Sequence, residues 1–228
     1  MDKSNLDYVW QTLIKNYSAH DFTNFEDRLP AIAGIAKVFS DTWKDDYVAG
    51  LWRGLLINQL CWYRARGQWS FSSEQHPFEP FSQITERIRW PSWSWKSAPL
   101  SVDFSYITIP AARVIGYNIK LASTEAPFGD VLEGILTLRA KLVSFSAELP
   151  EELLRSRSLM LDHETTKIDS STQLLLFGFS TDPLNFTALI VRTGPNDSFE
   201  RIGLVFNTLW TLRQLDWEPV DEQTVILR

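Results

Sequence analysis

The spacing of apolar residues changes once along this chain, and that change excludes most architectures. In residues 6–17, Leu6, Val9, Trp10, Leu13, Ile14 and Tyr17 recur three and four apart, the period of a helix with one apolar stripe. Beyond residue 100 the period falls to two, in segments near 102–109, 112–121, 131–146, 158–162, 172–180, 186–193, 200–207 and 224–227, as in strands with one buried face. Pro127 with Gly129, Asp182 with Pro183, and Gly194 with Pro195 sit where turns between strands should fall. Helices first and strands later predict an α+β fold and exclude alternating βαβ units. The expected architecture is N-terminal helices packed on a mainly antiparallel β-sheet, with a sandwich or barrel-like C-terminal half.

Three parts of one compact unit are expected: a helical part over 1–66, a connecting loop rich in Pro and Trp over 67–100, and a β-rich part over 101–228. In the first part, Thr23 and Glu26 have capping-box spacing, and Pro30 suits the first turn of a helix through Ile32, Ile35, Ala36 and Phe39, with a short turn broken off before it. A third, central helix is predicted behind Asp45 and Asp46, through Val48, Leu51, Trp52, Leu55, Leu56, Gln59, Trp62 and Tyr63, apolar around most of its girdle.

At 228 residues the chain buries enough surface to fold without a metal or disulfide staple. Its 22 Lys and Arg stand against 28 Asp and Glu, a formal charge of −6. The basic residues cluster only in pairs (Arg64 with Arg66, Arg87 with Arg89, Arg155 with Arg157), which argues against a nucleic-acid partner, since a phosphate-binding face needs clustered cations. No apolar run approaches the length of a membrane span. The single Cys61 and a polar start after Met1 lead to the expectation of a reducing, cytoplasmic setting. The sequons at Asn16, Asn185 and Asn196 are then chance matches. Oligomeric state stays open.

A search for catalytic constellations returns little. His20, His76 and His163 are isolated, with no second Cys, so no metal site is expected. None of the ten glycines falls in a phosphate-cradling pattern, so no nucleotide or other cofactor is expected. Cys61 lies in an apolar stretch, where a thiol is packing, and there is no G-x-S-x-G elbow. Asp162 with His163 reads either as a strand-end turn or as a carboxylate orienting an imidazole. Asp27 with Arg28 reads as a tie between the second helix and its neighbours, and Trp52 with Arg53 as core plus solvated rim.

What the chain has in excess is aromatic: 10 Trp, 14 Phe and 6 Tyr, 13% of the residues. They are densest in Arg89, Trp90, Pro91, Ser92, Trp93, Ser94, Trp95 and Lys96. Extended, this segment points Trp93 and Trp95 to one face and Trp90, Ser92, Ser94 and Lys96 to the other. Two readings follow: a lining for an apolar ligand, or indoles covering the core between helices and sheet with serines on the outer side. Either gives each buried indole N–H an acceptor.

Taken in order, these motifs resemble the region that follows the HET domain in fungal heterokaryon-incompatibility proteins. The likeness is carried by Trp10 to Tyr17 and Ser18, by Phe22 and Thr23, by Asp27, Arg28, Leu29, Pro30, Ala31, Ile32, Ala33, Gly34, Ile35 and Ala36, and by Tyr47, Val48, Ala49, Gly50, Leu51 and Trp52. Leu60, Cys61 and Trp62, and then Pro91, Ser92, Trp93, Ser94 and Trp95, continue it, with weaker echoes at Phe128, Gly129, Asp130, Val131, Leu132, Glu133 and Gly134 and from Phe199 to Gly203. Met1 stands just before the first matched helix, so the expectation is a free-standing copy without the HET domain itself. Short HET-like proteins of this kind look similar to pericyclases of fungal terpenoid pathways that form a norbornene by intramolecular Diels–Alder addition. The resemblance implies a cofactor-free cyclase acting on an apolar terpenoid-like molecule. Lys96, Trp93 and Trp95 would then be the catalytic set, and Trp90, Ser92, Ser94, Tyr47, Trp52, Arg53 and Arg89 would bind substrate, with Lys96 or Arg89 anchoring any carboxylate. The alternative is a non-enzymatic module of the HET type that binds a small ligand or a protein partner. A hydrolase assembled from a distant His and carboxylate ranks below both.

Overall fold

Trp10 and Ile14 carry the stripe of the first helix into the interior, where neither is accessible to solvent. In the computed structural model, which describes residues 3–20, 22, 24–65, 90–99, 101–145, 158–163, 166–181, 185–206 and 217–228, this helix is α1, Lys3–Ser18. Val9, counted with the stripe in the sequence, is exposed instead. Ser18 ends α1 by accepting a hydrogen bond from the Val102 N–H on its side-chain oxygen, at 3.0 Å. A 3-10 turn, Phe25–Asp27, follows, with the Asn24 side chain accepting from the Glu26 N–H. The cap is therefore Asn24; Thr23 lies outside the described residues. Helix α2, Arg28–Trp43, has Pro30 in its first turn, buries Leu29, Ile32 and Ala36, and stops at Lys44 in the left-handed region.

The predicted third helix is not formed. Strands β1, Tyr47–Val48, and β2, Leu51–Trp52, make a hairpin, then come a 3-10 turn, Arg53–Leu55, the short helix α3, Leu56–Gln59, and β3, Trp62–Arg64. Two backbone conformations decide this: Ala49 at φ 48° and Gly50 at φ 96° form a two-residue turn whose twist matches a hairpin, pairing Tyr47 with Trp52 and Val48 with Leu51. The segment is apolar all round because it is surrounded by core. Val48, Leu51, Trp52, Leu56, Leu60, Cys61 and Trp62 are all buried, and an apolar run of that kind does not distinguish a helix from short buried pieces.

The second half follows the period of two closely. Its strands are β4, Val102–Phe104, β5, Ile109–Pro110, β6, Arg113–Leu121, β7, Val131–Ser144, β8, Leu159–Leu161, β9, Thr172–Phe179, β10, Phe186–Thr193, β11, Phe199–Val205, and β12, Glu222–Leu227. Strand β4 pairs with β3. The large sheet runs β5-β9-β10-β11-β12-β7-β6, with β8 beside β11 and a further pairing between β7 and β9. That pairing closes β7, β9, β10, β11 and β12 into a ring. Strand β7 is long enough to serve two neighbours in turn: residues 136–141 pair with β12 and 142–144 with β9. The β11–β12 contact is parallel, while the pairings of β7 with β6, β9 and β12 are antiparallel.

One face of this sheet (Leu136, Leu138, Ala140, Leu175, Phe177, Leu189, Val191, Leu204, Val225 and Leu227) shares a continuous core with α1, α2 and the hairpin. Strands β9 to β11 are also apolar on the other face, where Leu174, Leu176, Ala188, Ile190 and Ile202 pack with Phe145, Leu159, Phe186 and Trp217. Among the described residues no helix is long and apolar enough to cross a membrane. Of the predicted connecting loop, residues 66–89 and 100 lie outside the described residues, so Arg89 does too.

Candidate functional site

The Trp-rich segment does not run extended. Residues 90–99 form a turn and a 3-10 helix, Trp95–Ser97, capped by Ser94, whose side-chain oxygen accepts from the Lys96 N–H at 3.2 Å. The two-faced alternation is lost, and Trp93, Ser94, Trp95 and Lys96 are all buried. Their polar atoms have partners in the protein. Trp93 donates to the Gly134 carbonyl at 3.3 Å, Ser94 to Ala49 at 2.7 Å and Trp95 to Gly50 at 3.0 Å. Ser92 donates its hydroxyl to the Arg228 carbonyl and accepts from the Arg201 N–H at 2.9 Å, bridging the ends of β12 and β11. Gly134 permits this approach: a Cβ there would lie 2.6 Å from the Pro91 ring and 2.7 Å from the Trp93 ring. The segment thus stitches hairpin, helices and sheet together; Trp93 and Trp95 lie in the core, as in the second of the two sequence readings, but Ser94 is buried with them and does not face outward.

Lys96 is fully buried. Its ammonium donates to the Asp130 carboxylate and, at 3.0 Å, to the Glu26 carbonyl, and lies 4.6 Å from the centre of the Trp90 ring. Burial pulls the Lys96 amine below the ordinary lysine range, against the opposing pull of Asp130. Arg28, also buried, donates to the Ala98 and Lys96 carbonyls at 2.6 and 3.3 Å, and burial lowers its pKa to about 10. Both cations fix the Trp-rich segment to the start of α2.

A second buried ion pair lies within the β-rich half, and its arginine also reaches the first half. Arg201 of β11 donates to Asp162 at 2.9 Å, to the Leu60 carbonyl at 2.6 Å and to the Trp62 carbonyl, with its guanidinium carbon 3.3 Å from the centre of the Trp62 ring. The carboxylate of Asp162 therefore serves Arg201, and burial pushes the neighbouring His163 below the usual imidazole value. Asp7 accepts from the amides of Gln11, Asn58 and Gln59 at 3.0 to 3.1 Å; burial raises its pKa against those bonds. Among the described residues, no three His, Cys, Asp or Glu side chains cluster in a way that could hold a metal ion.

Cys61 is buried and burial pushes its thiol from 9.0 to about 12. Burial makes the thiolate scarce near neutral pH and keeps reagents from it. Iodoacetamide at pH 8 is therefore expected to label the native protein far more slowly, by about a hundredfold or more, than the urea-unfolded chain. Comparable rates in the two states would show that this region opens.

The substrate-binding residues named from the sequence at the hairpin stand in a different setting. Trp10 and Trp52 are wholly buried, and around them lie Phe39, Trp43, Tyr47 and Phe128, each only half-buried. The rings meet edge to face: Trp10–Trp52 at 5.2 Å, Trp43–Trp52 at 5.2 Å, Tyr47–Trp52 at 5.3 Å and Phe39–Trp43 at 4.5 Å, with Tyr47–Phe128 tilted at 5.6 Å. At the rim, Asp46 accepts from Arg53 at 3.2 Å and from the Tyr117 hydroxyl at 2.9 Å. Arg53 is exposed and acts as the solvated rim foreseen for it.

The expectation that each indole would find an acceptor fails in three places. Trp10, Trp62, Trp93 and Trp95 donate to carbonyls, but among the described residues the buried Nε1 atoms of Trp52, Trp90 and Trp217 have no hydrogen-bond partner, and neither has the buried Tyr47 hydroxyl. A buried unpaired donor costs about 1–3 kcal/mol. Two of the four sit on the adjoining rings of Tyr47 and Trp52. Burial also pushes the Tyr47 phenol far above its usual range, so it is a neutral donor at any working pH.

Of the sequence-derived site residues, Tyr47 and Trp52 fall in this aromatic cluster with Arg53 at its rim, whereas Trp90, Ser92, Trp93, Ser94, Trp95 and Lys96 form the stitching segment. Trp10, Phe39, Trp43 and Phe128 were not among the sequence-derived site residues, since no spacing connects positions on α1, α2 and the β6–β7 turn into one site. Comparison with protein-family models, with curated proteins and with solved structures finds no match for this chain.

Proposed function

We propose that this chain is a cofactor-free cyclase of the pericyclic type, acting on an apolar, terpenoid-like small molecule held in the aromatic cluster around Trp52. The observation that carries the reading is the grading of that cluster: half-buried Phe39, Trp43, Tyr47 and Phe128 above fully buried Trp10 and Trp52. Such a wall of rings suits an apolar guest, and pericyclic closure asks of a protein mainly that it hold a flexible chain in its reactive conformer. The likeness to the region after the HET domain supports the same reading, and the proposal extends to fungal secondary metabolism. A cytoplasmic setting belongs to it too, supported by a single, buried thiol.

The test is a screen of polyene terpenoids by indole fluorescence, followed by product analysis by gas chromatography and mass spectrometry. Saturable quenching and a cyclised product are expected, with Trp43→Leu weakening both about tenfold or more. Lys96→Met keeps the buried stem and removes the charge. Turnover surviving in folded Lys96→Met makes Lys96 part of the framework; a fall of ~100- to 1,000-fold, the usual effect of losing one transition-state donor, makes it catalytic.

The pairing of Lys96 with Asp130 and Glu26 favours a second reading, a regulatory binding module, because its charge is already engaged. Saturable binding with no product from any polyene would select it.

A further inference from the structure

We infer that the guest of the aromatic cluster carries a neutral hydrogen-bond acceptor, a ketone, aldehyde or ester oxygen on an otherwise apolar skeleton, seated against the Tyr47 hydroxyl and the Trp52 indole N–H. The inference rests on the binding reading above and narrows it to a ligand class. Tyr47 and Trp52 are cross-strand partners in the β1–β2 hairpin, with ring centres 5.3 Å apart, and each keeps a buried donor unpaired. The same fold satisfies comparable groups nearby: Trp10 and Trp95 both reach the Gly50 carbonyl in the turn of that hairpin. Two donors on neighbouring rings, without acceptors among the described residues, are a standing penalty that an oxygen of the guest removes.

The surroundings say which oxygen. Asp45 and Asp46 precede Tyr47, and the two cations nearest in the chain are both exposed, Lys44 at the end of α2 and Arg53, which is paired with Asp46. A carboxylate would enter against acidic neighbours with no buried cation in the cluster among the described residues, and desolvating it would go uncompensated. A pure hydrocarbon would leave both donors unpaired. A carbonyl meets both requirements.

Three probes on one skeleton test this: limonene, its ketone carvone, and the carboxylate perillate, titrated into the full chain by calorimetry. Carvone is expected to bind about tenfold tighter than limonene, equivalent to about 1.4 kcal/mol, and perillate more weakly than carvone. Tyr47→Phe should bring carvone to within about twofold of limonene. In the ligand-free protein it should keep or raise the unfolding midpoint, by up to about 4 °C, because it removes a hydroxyl with no partner. Carvone, not limonene, should shift the Trp52 indole N–H resonance in a 15N correlation spectrum, a readout that needs no variant at Trp52. Equal binding of carvone and limonene, an unchanged carvone affinity in Tyr47→Phe, or a lowered midpoint in that variant would overturn the inference while the binding reading stands. Failure of all three probes to bind would overturn both.

Discussion

Asp162→Asn is expected to lower the free energy of unfolding by about 3–5 kcal/mol, the range seen when one partner of a buried ion pair is removed. The carboxylate faces a guanidinium with no solvent exposure at 2.9 Å, so an amide in its place leaves a buried charge without a counter-charge. The variant separates two roles of Arg201. Replacing both members, as Arg201→Met with Asp162→Leu, often restores stability when an ion pair stands alone. Here it should not, since Arg201 also donates to the carbonyls of Leu60 and Trp62. With those acceptors orphaned, a deficit of about 2 kcal/mol or more should remain. Guanidinium denaturation at pH 7 measures both values. A loss under 1 kcal/mol for Asp162→Asn would mean that water reaches Arg201, and full recovery in the double variant would mean that the two carbonyls find other donors.

Gly50→Ala is the second large effect. At φ 96° an L-residue is strained, and its Cβ would stand 2.5 Å from Trp95 Nε1 and 3.1 Å from Leu29. Backbone strain of about 1–3 kcal/mol and overpacking of about 1–3 kcal/mol together predict a loss of about 2–6 kcal/mol. The Gly50 carbonyl also accepts from both Trp10 and Trp95, so near-ultraviolet circular dichroism should weaken in the same variant. Ala49→Gly is the control. Relief of strain at φ 48° is offset by the lost burial of a methyl, worth about 0.8 kcal/mol, and stability should barely change. Equal behaviour of the two variants would contradict the hairpin.

The Trp-rich segment was conspicuous in the sequence for a structural reason. Its Trp, Ser and Lys side chains are the dense, polar-tipped groups needed to join three layers at one place, and the same composition describes a ligand wall equally well. Composition does not report whether a donor is satisfied. Only the placement of Gly134, Ala49, Gly50 and Arg228 opposite Trp93, Ser94, Trp95 and Ser92 tells the two apart. Tyr47 and Trp52 were reached through the resemblance and not through any spacing of their own. The rings around them come from residues 10, 39, 43 and 128, separated by most of the helical part and half the sheet.

Local periodicity alone determined the order of helices then strands, the α+β class, and most strand positions beyond residue 100, because burial on one face imposes its period on the residues themselves. It misjudged residues 48–63, where burial on every side leaves no period to read and two left-handed backbone angles choose a hairpin. The closing of the ring through β7, the pairing of Arg201 with Asp162 across 39 residues, and the two unpaired donors at Tyr47 and Trp52 were decided in three dimensions. Each depends on which atoms arrive opposite one another after the chain has crossed itself, and that information is held by no single stretch of sequence.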